Sequence, residues 1–244
     1  MIVARTRAEL ARGMAGLRSR PGRVALVPTM GYLHEGHLSL VDRAREEAGA
    51  VAVSIFVNPL QFGPSEDLDT YPRDEARDLD LLDSRGADLA FVPPAEEMYP
   101  DDEPVVTVDP GPMAEVLCGA WRPGHFRGVL TVVAKLFGLF RPDVGVFGRK
   151  DYQQGVLVRR MVRDLELGVE VVLAPVVREP DGLAMSSRNV YLSGEERGQA
   201  VELGRALHRA REAFAAGERD ARRLEKRIRR HLEPYGLVEL QYVE

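Results

Sequence analysis

A single cysteine, Cys118, among 244 residues rules out an internal disulfide framework and a cysteine-built zinc site, and it suits a reducing compartment. No stretch approaches the ~18 consecutive apolar residues that a membrane-crossing helix needs. The N-terminus lacks the apolar centre of a signal peptide, so the expected location is the cytoplasm, with no membrane partner. A large excess of charge of one sign is also missing. A formal net charge of −5 creates no general attraction for nucleic acid or anionic lipid, so any anion site must be local. The basic run Arg219 to Arg230 is interleaved with Asp220 and Glu225 and reads as a solvated helix face. Three signatures are missing as well. There is no G-x-x-x-x-G-K-[S/T] loop, no G-x-G-x-x-G turn and no G-x-S-x-G elbow, which excludes the P-loop, the dinucleotide fingerprint and the usual hydrolase nucleophile. Nor does any cluster of carboxylates suggest an all-protein metal cage.

What is present is an alternation of apolar runs and helical periodicity. Val24–Val27, Ala50–Val57, Ala87–Val92, Val144–Phe147 and Val169–Leu173 read as buried strands, with Val105–Val108 as a further candidate. Between them lie helical patterns at Thr6–Arg18, His34–Ala48, Asp74–Ser84, Phe126–Phe140 and Lys150–Leu165. Strands apolar on both faces, alternating with helices, predict an α/β fold with a Rossmann-like, doubly wound parallel sheet. The texture changes near position 177. A polar loop leads to two charged helices, Ser193–Ala216 and Ala221–His231, and a last strand-like run, Leu237–Val243. The expected division is therefore residues 1–176 as the larger domain and 177–244 as a smaller α+β domain.

In a parallel sheet ligands bind at the carboxyl ends of the strands. After the first strand comes Pro28-Thr29-Met30-Gly31-Tyr32-Leu33-His34-Glu35-Gly36-His37, a strand, a turn and a helix start. Glycines there let the backbone approach a guest, and the helix start with two histidines three residues apart suits phosphate. The other strand ends carry Asn58-Pro59-Leu60-Gln61-Phe62, then Gly148-Arg149-Lys150-Asp151-Tyr152-Gln153-Gln154, then the loop to Met185-Ser186-Ser187-Arg188. Lys150 offers an ammonium, Asp151 a helix cap or ribose contact, and Arg188 a guanidinium. Such a set suits attack on the α-phosphate of a nucleotide, where positioning and electrostatics supply most of the catalysis.

His34-Glu35-Gly36-His37 resembles the H-x-G-H signature of the nucleotidyltransferase and class I aminoacyl-tRNA synthetase superfamily. With FVNPLQF, TYPRD, RPGHFRGV, FGRKDYQQ and DGLAMSSRN in that order, the chain resembles the pantoate–β-alanine ligase family from Val24 to about Leu192. That resemblance implies ATP-dependent joining of pantoate to β-alanine through an acyl adenylate, with magnesium carried on the ATP phosphates. It assigns ATP to Met30, Gly31, Tyr32, Leu33, His34, Glu35, Gly36, His37, Gly148, Arg149, Lys150, Asp151, Val177, Met185, Ser186, Ser187 and Arg188. Catalytic roles fall to His34, His37, Lys150 and Arg188, with His37 the family's proton donor. Pantoate goes to Gln61 and Gln154, β-alanine near Gln61, and Asn58, Tyr71 and Arg122 are further substrate-binding candidates. The family is typically a homodimer. It usually carries glutamate where Arg149 stands and continues past position 244 with further strands, so the small domain, its lid, reads as shortened. Two other readings stay open: another H-x-G-H nucleotidyltransferase, and a nucleotide-binding module without activity.

Overall fold

The computed structural model describes residues 1–244. The chain divides into two compact units, Met1–Pro175 and Val176–Glu244. The first is built from β1 (Ile2–Ala4), α1 (Arg7–Arg18), β2 (Val24–Thr29), α2 (Glu35–Glu47), β3 (Ala50–Ile55), α3 (Glu75–Ser84), β4 (Leu89–Phe91), α4 (Ala95–Met98), α5 (Cys118–Trp121), α6 (His125–Phe140), β5 (Val144–Gly148), α7 (Tyr152–Asp164) and β6 (Glu170–Ala174). The strands form one six-stranded sheet in the order β1-β4-β3-β2-β5-β6, and every pairing is parallel.

Alternation along each strand sends successive side chains to opposite faces. Val24, Leu26, Ala50 and Ala52 join the core beneath α1, α6 and α7, whereas Ala25, Val27, Val51 and Val53 join the one beneath α2 and α3. Both faces of β2 and β3 are thus buried, which is why these strands are continuous apolar runs. α6 is wedged against the turn after β3. A Cβ on Gly128 would lie 2.1 Å from the Leu60 carbonyl oxygen, so no other residue fits there.

The chain moves from β2 to β3 on one side and later returns to place β5 on the other, so the direction of winding reverses between β2 and β5. The two strands pair only at Ala25–Val144 and Leu26–Gly145, then part. Pro28 explains how. The Val24 carbonyl accepts from Asp143 on the β5 side and the Thr29 carbonyl accepts from Phe56 on the β3 side. Alternation then turns Pro28 toward β5, where a residue without an N–H has nothing to donate. The parted strand ends make the crevice that a reversal of winding provides.

The second unit holds α8 (Gly194–Ala215) and α9 (Ala221–Leu232), joined across a buried Glu202–His231 pair at 2.7 Å. Its extended structure is one antiparallel bridge, Arg178 to Ala184. Two expected strands are therefore corrected. Leu237–Val243 is not a strand: no segment forms a ladder with it, and the Leu237 N–H is donated to the Gln199 side chain instead. Val105–Val108 is not one either, because Val105 is 99% and Val106 83% exposed, with no neighbouring strand to pair with. The N-terminal β1, too short to stand out as a pattern, is an addition.

Candidate active site

At the end of β2 the backbone turns through two left-handed residues, Gly31 at φ +82° and Tyr32 at φ +48°. The glycine is required twice over, since a Cβ there would also sit 3.0 Å from both Asp78 Oδ2 and Ile55 Cγ2. Tyr32 carries the strain of a non-glycine residue in this region, of order 1 kcal/mol or more. Asp78 of α3 holds it. Its carboxylate, 1% exposed, accepts the Tyr32 N–H at Oδ2 and the Leu33 N–H at Oδ1, both at 2.7 Å. Burial raises the Asp78 pKa, and the two N–H bonds oppose that rise. A charged helix read only for its solvated face gives no hint of this residue. The available signal was Asp78 and Leu82 four apart, which puts the aspartate on the apolar stripe.

The turn delivers His34 as N-cap of α2. The His34 Nδ1 accepts the Gly36 N–H at 3.1 Å, and the His37 Nδ1 accepts the His34 N–H at 3.4 Å, a reciprocal cap made of imidazoles. The rings lie with centroids 4.1 Å apart. A nitrogen that accepts carries no proton, so on each neutral ring the proton sits on Nε2. His37 stays neutral: removal from water, then electrostatic interaction with His34 and Lys150, push its pKa down to about 3. Lys150 thus acts on His37 from the end of β5. There Arg149, Lys150 and Asp151 form a single 3-10 turn before α7, and Gln154 lies in the first turn of that helix. Asp151 does not cap α7 through its side chain. It stands at the N-cap position, but its Oδ1 faces the Lys150 ammonium at 3.5 Å instead of a helix N–H.

The turn after β3 supplies a second set of side chains. Gln61 Nε2 reaches the Met30 sulfur at 3.2 Å, which ties this turn to the one after β2. Asn58, 1% exposed, donates to Gln61 Oε1 at 3.1 Å and to the Gly128 carbonyl at 3.2 Å. Arg122 forms a two-pronged ion pair with Glu66, with Nε to Oε1 at 2.8 Å and Nη2 to Oε2. It also reaches the Gln61 carbonyl at 3.4 Å. The Glu66 carboxyl is held below the ordinary range first by that hydrogen bond from Arg122. His125 Nδ1 donates to the same Gln61 carbonyl at 2.8 Å; burial, reinforced by Arg122, lowers its pKa and keeps it neutral. Glu66 and His125 are site residues that sequence reasoning did not single out. Tyr71 is buried, edge-on to Phe62 at 5.9 Å.

Within the second unit, the Met185 N–H bonds the Val177 carbonyl at 3.0 Å, and the Ser186 side chain accepts the Arg188 N–H at 3.2 Å to start the turn Ser187–Tyr191. Ser187 is buried, and Asn189 anchors the turn by donating to Glu179 and to the Ala184 carbonyl.

A parallel α/β sheet with an H-x-G-H helix start at its winding reversal is the architecture of nucleotide-activating enzymes of the nucleotidyltransferase kind. Comparison with known proteins narrows this class. The model of the pantoate-β-alanine ligase family matches residues 2–244, and the chain belongs to that family. It is 55% identical over 237 residues to pantothenate synthetase 1 of Bradyrhizobium diazoefficiens, covering 97% of this chain and 83% of that protein. It is likewise 55% identical over 243 residues to the pantothenate synthetase of Chloroflexus aggregans, covering 86% of the latter. The crystal structure of the Thermus thermophilus pantothenate synthetase superposes with a TM-score of 0.89 at 51% identity, over 97% of this chain and 83% of that one. The Francisella tularensis pantoate-β-alanine ligase, solved with β-γ ATP and β-alanine, gives 0.80 at 34% identity, over 95% and 86%.

Proposed function

We propose that the reaction runs in two steps at the crevice between β2 and β5. The pantoate carboxylate attacks the α-phosphorus of MgATP, forming pantoyl adenylate and releasing pyrophosphate. The β-alanine amine then attacks the acyl carbonyl, an amide bond forms and AMP leaves as pantothenate is released. The observation that carries this reading is the imidazole pair at the start of α2. Both rings are fixed by backbone N–H groups with the proton on Nε2, at a helix end whose dipole favours anions. Neutral His37 therefore serves as a hydrogen-bond donor to phosphoryl oxygens. Lys150 adds the compact positive charge that developing pyrophosphate requires.

Gln61 and Gln154 are assigned to pantoate, with Asn58, Tyr71 and Arg122 behind or beside them, and Gln61 also to β-alanine. Met30 to His37 and Gly148 to Asp151 are assigned to the nucleotide. Val177 and Met185 to Arg188 of the second unit carry the same assignment by motif, with Arg188 the second principal cation. Magnesium enters as part of the substrate. No group of three or more His, Cys, Asp or Glu side chains is arranged to hold a metal. A homodimer and a cytoplasmic setting complete the reading, and no helix is long and apolar enough to cross a membrane.

The test is an incubation with MgATP, pantoate and β-alanine. Pyrophosphate release should depend on pantoate, and AMP release with pantothenate should depend on β-alanine as well. No AMP above the control without pantoate would refute the ligase. ATP binding with no pantoate-dependent pyrophosphate would mark a binding module. His37→Ala and Lys150→Ala should each lower adenylate formation by about tenfold or more, since each removes a donor or charge from the transition state.

A further inference from the structure

Tyr99 follows α4, is 4% exposed, and packs beside Phe56 with ring centroids 5.9 Å apart. Its hydroxyl donates to Asn58 Oδ1 at 2.8 Å. One atom settles the direction of the hydrogen bonds that run from Asn58 to Gln61. The Gly128 carbonyl, 3.2 Å from the Asn58 side chain, can only accept, so the Asn58 atom facing it is the nitrogen. The oxygen end of that amide then faces Tyr99, and the second Nδ2 hydrogen is directed at Gln61, whose facing atom must be Oε1. This leaves the Gln61 NH2 on the other end, resting at 3.2 Å on the Met30 sulfur.

We propose that Tyr99 is a positioning residue for the reaction: through Asn58 it holds the Gln61 carboxamide with its NH2 toward the acid substrate, so that the site demands an acceptor oxygen there. Thioether sulfur is a weak acceptor, so it aligns the amide and yields to a substrate oxygen at small cost. A chain of one polarity has a further consequence. Reversing any member presents the Gln61 carbonyl to the substrate oxygen, and two acceptors facing each other reject the ligand. Because the amide is already oriented, little freedom is lost when the acid binds.

The inference rests on the assignment of Gln61 to pantoate. Tyr99→Phe removes one hydroxyl and leaves the ring. It should raise the pantoate KM about five- to tenfold, the effect of one buried hydrogen bond. kcat at saturating pantoate and the ATP KM should stay within about twofold. Asn58→Asp replaces the donor by an acceptor of the same shape, and should raise the pantoate KM about a hundredfold by turning the Gln61 amide around. In a Gln61→Leu background, with pantoate raised to keep turnover measurable, Tyr99→Phe should add nothing to the pantoate KM. An unchanged KM in Tyr99→Phe, an ATP KM that rises in parallel, wild-type pantoate affinity in Asn58→Asp, or an undiminished Tyr99→Phe effect on Gln61→Leu would each overturn the inference. A wild-type enzyme that releases no pyrophosphate in response to pantoate would overturn the functional reading and this inference with it. A responsive wild type combined with any of the four failures overturns the inference alone.

Discussion

His37 makes the folded protein sensitive to mild acid in a way that can be isolated. Its imidazole titrates near 6.5 when unfolded and at about 3 when folded. Between those limits the unfolded chain binds a proton that the native chain refuses, so stability falls as pH falls, by about 1.4 kcal/mol per unit. Near pH 5 the loss is about 1.5 pH units' worth, or ~2 kcal/mol, whereas near pH 7.5 it is negligible. His37→Asn is the control, since its side-chain oxygen takes the place of Nδ1 as acceptor for the His34 N–H and does not titrate. Urea unfolding of both proteins at about pH 7.5 and pH 5 cancels the carboxylates and other histidines common to the two. The wild type should lose ~2 kcal/mol more than the variant on acidification. Equal losses would show that His37 protonates as readily in the native state as in the unfolded chain, and the neutral donor would have to be abandoned.

Asp78→Ala strips the acceptors from two buried main-chain N–H groups and frees a left-handed Tyr32. A loss of about 2–4 kcal/mol in unfolding free energy and a weaker ATP affinity by equilibrium binding are expected, with unchanged ATP affinity counting against the clamp. Gly128→Ala forces a methyl to within 2.1 Å of the Leu60 carbonyl. It should cost about 2 kcal/mol or more and raise the pantoate KM by displacing Gln61, which denaturation and steady-state kinetics would register.

Much of this protein could be read without coordinates, for identifiable reasons. β2 and β3 are buried on both faces and therefore write themselves as unbroken apolar runs, and the strand-end rule then collected His34, Gln61 and Lys150. The misreadings share a cause. Val105–Val108 and Leu237–Val243 have the composition of strands, but a strand exists only by virtue of its neighbour, which composition does not carry. β1, three residues long, is the converse: a strand made by β4. Asp78 and Tyr99 were hidden because their roles depend on partners 45 and 41 positions away, Leu33 and Asn58. The polarity of the Gln61 amide depends on a carbonyl of α6. What is local in the chain, such as the strand, turn and helix start around His34, was visible; what is assembled across it was not.

The early parting of β2 from β5 has one more effect. A sheet open at its middle owns an interior pair of raw edges, and raw edges invite any extended peptide to dock. Pro28 stands on such an edge with no hydrogen to lend. The mouth is therefore a poor template for a polypeptide. The residue that keeps two strands from closing also keeps a third from moving in.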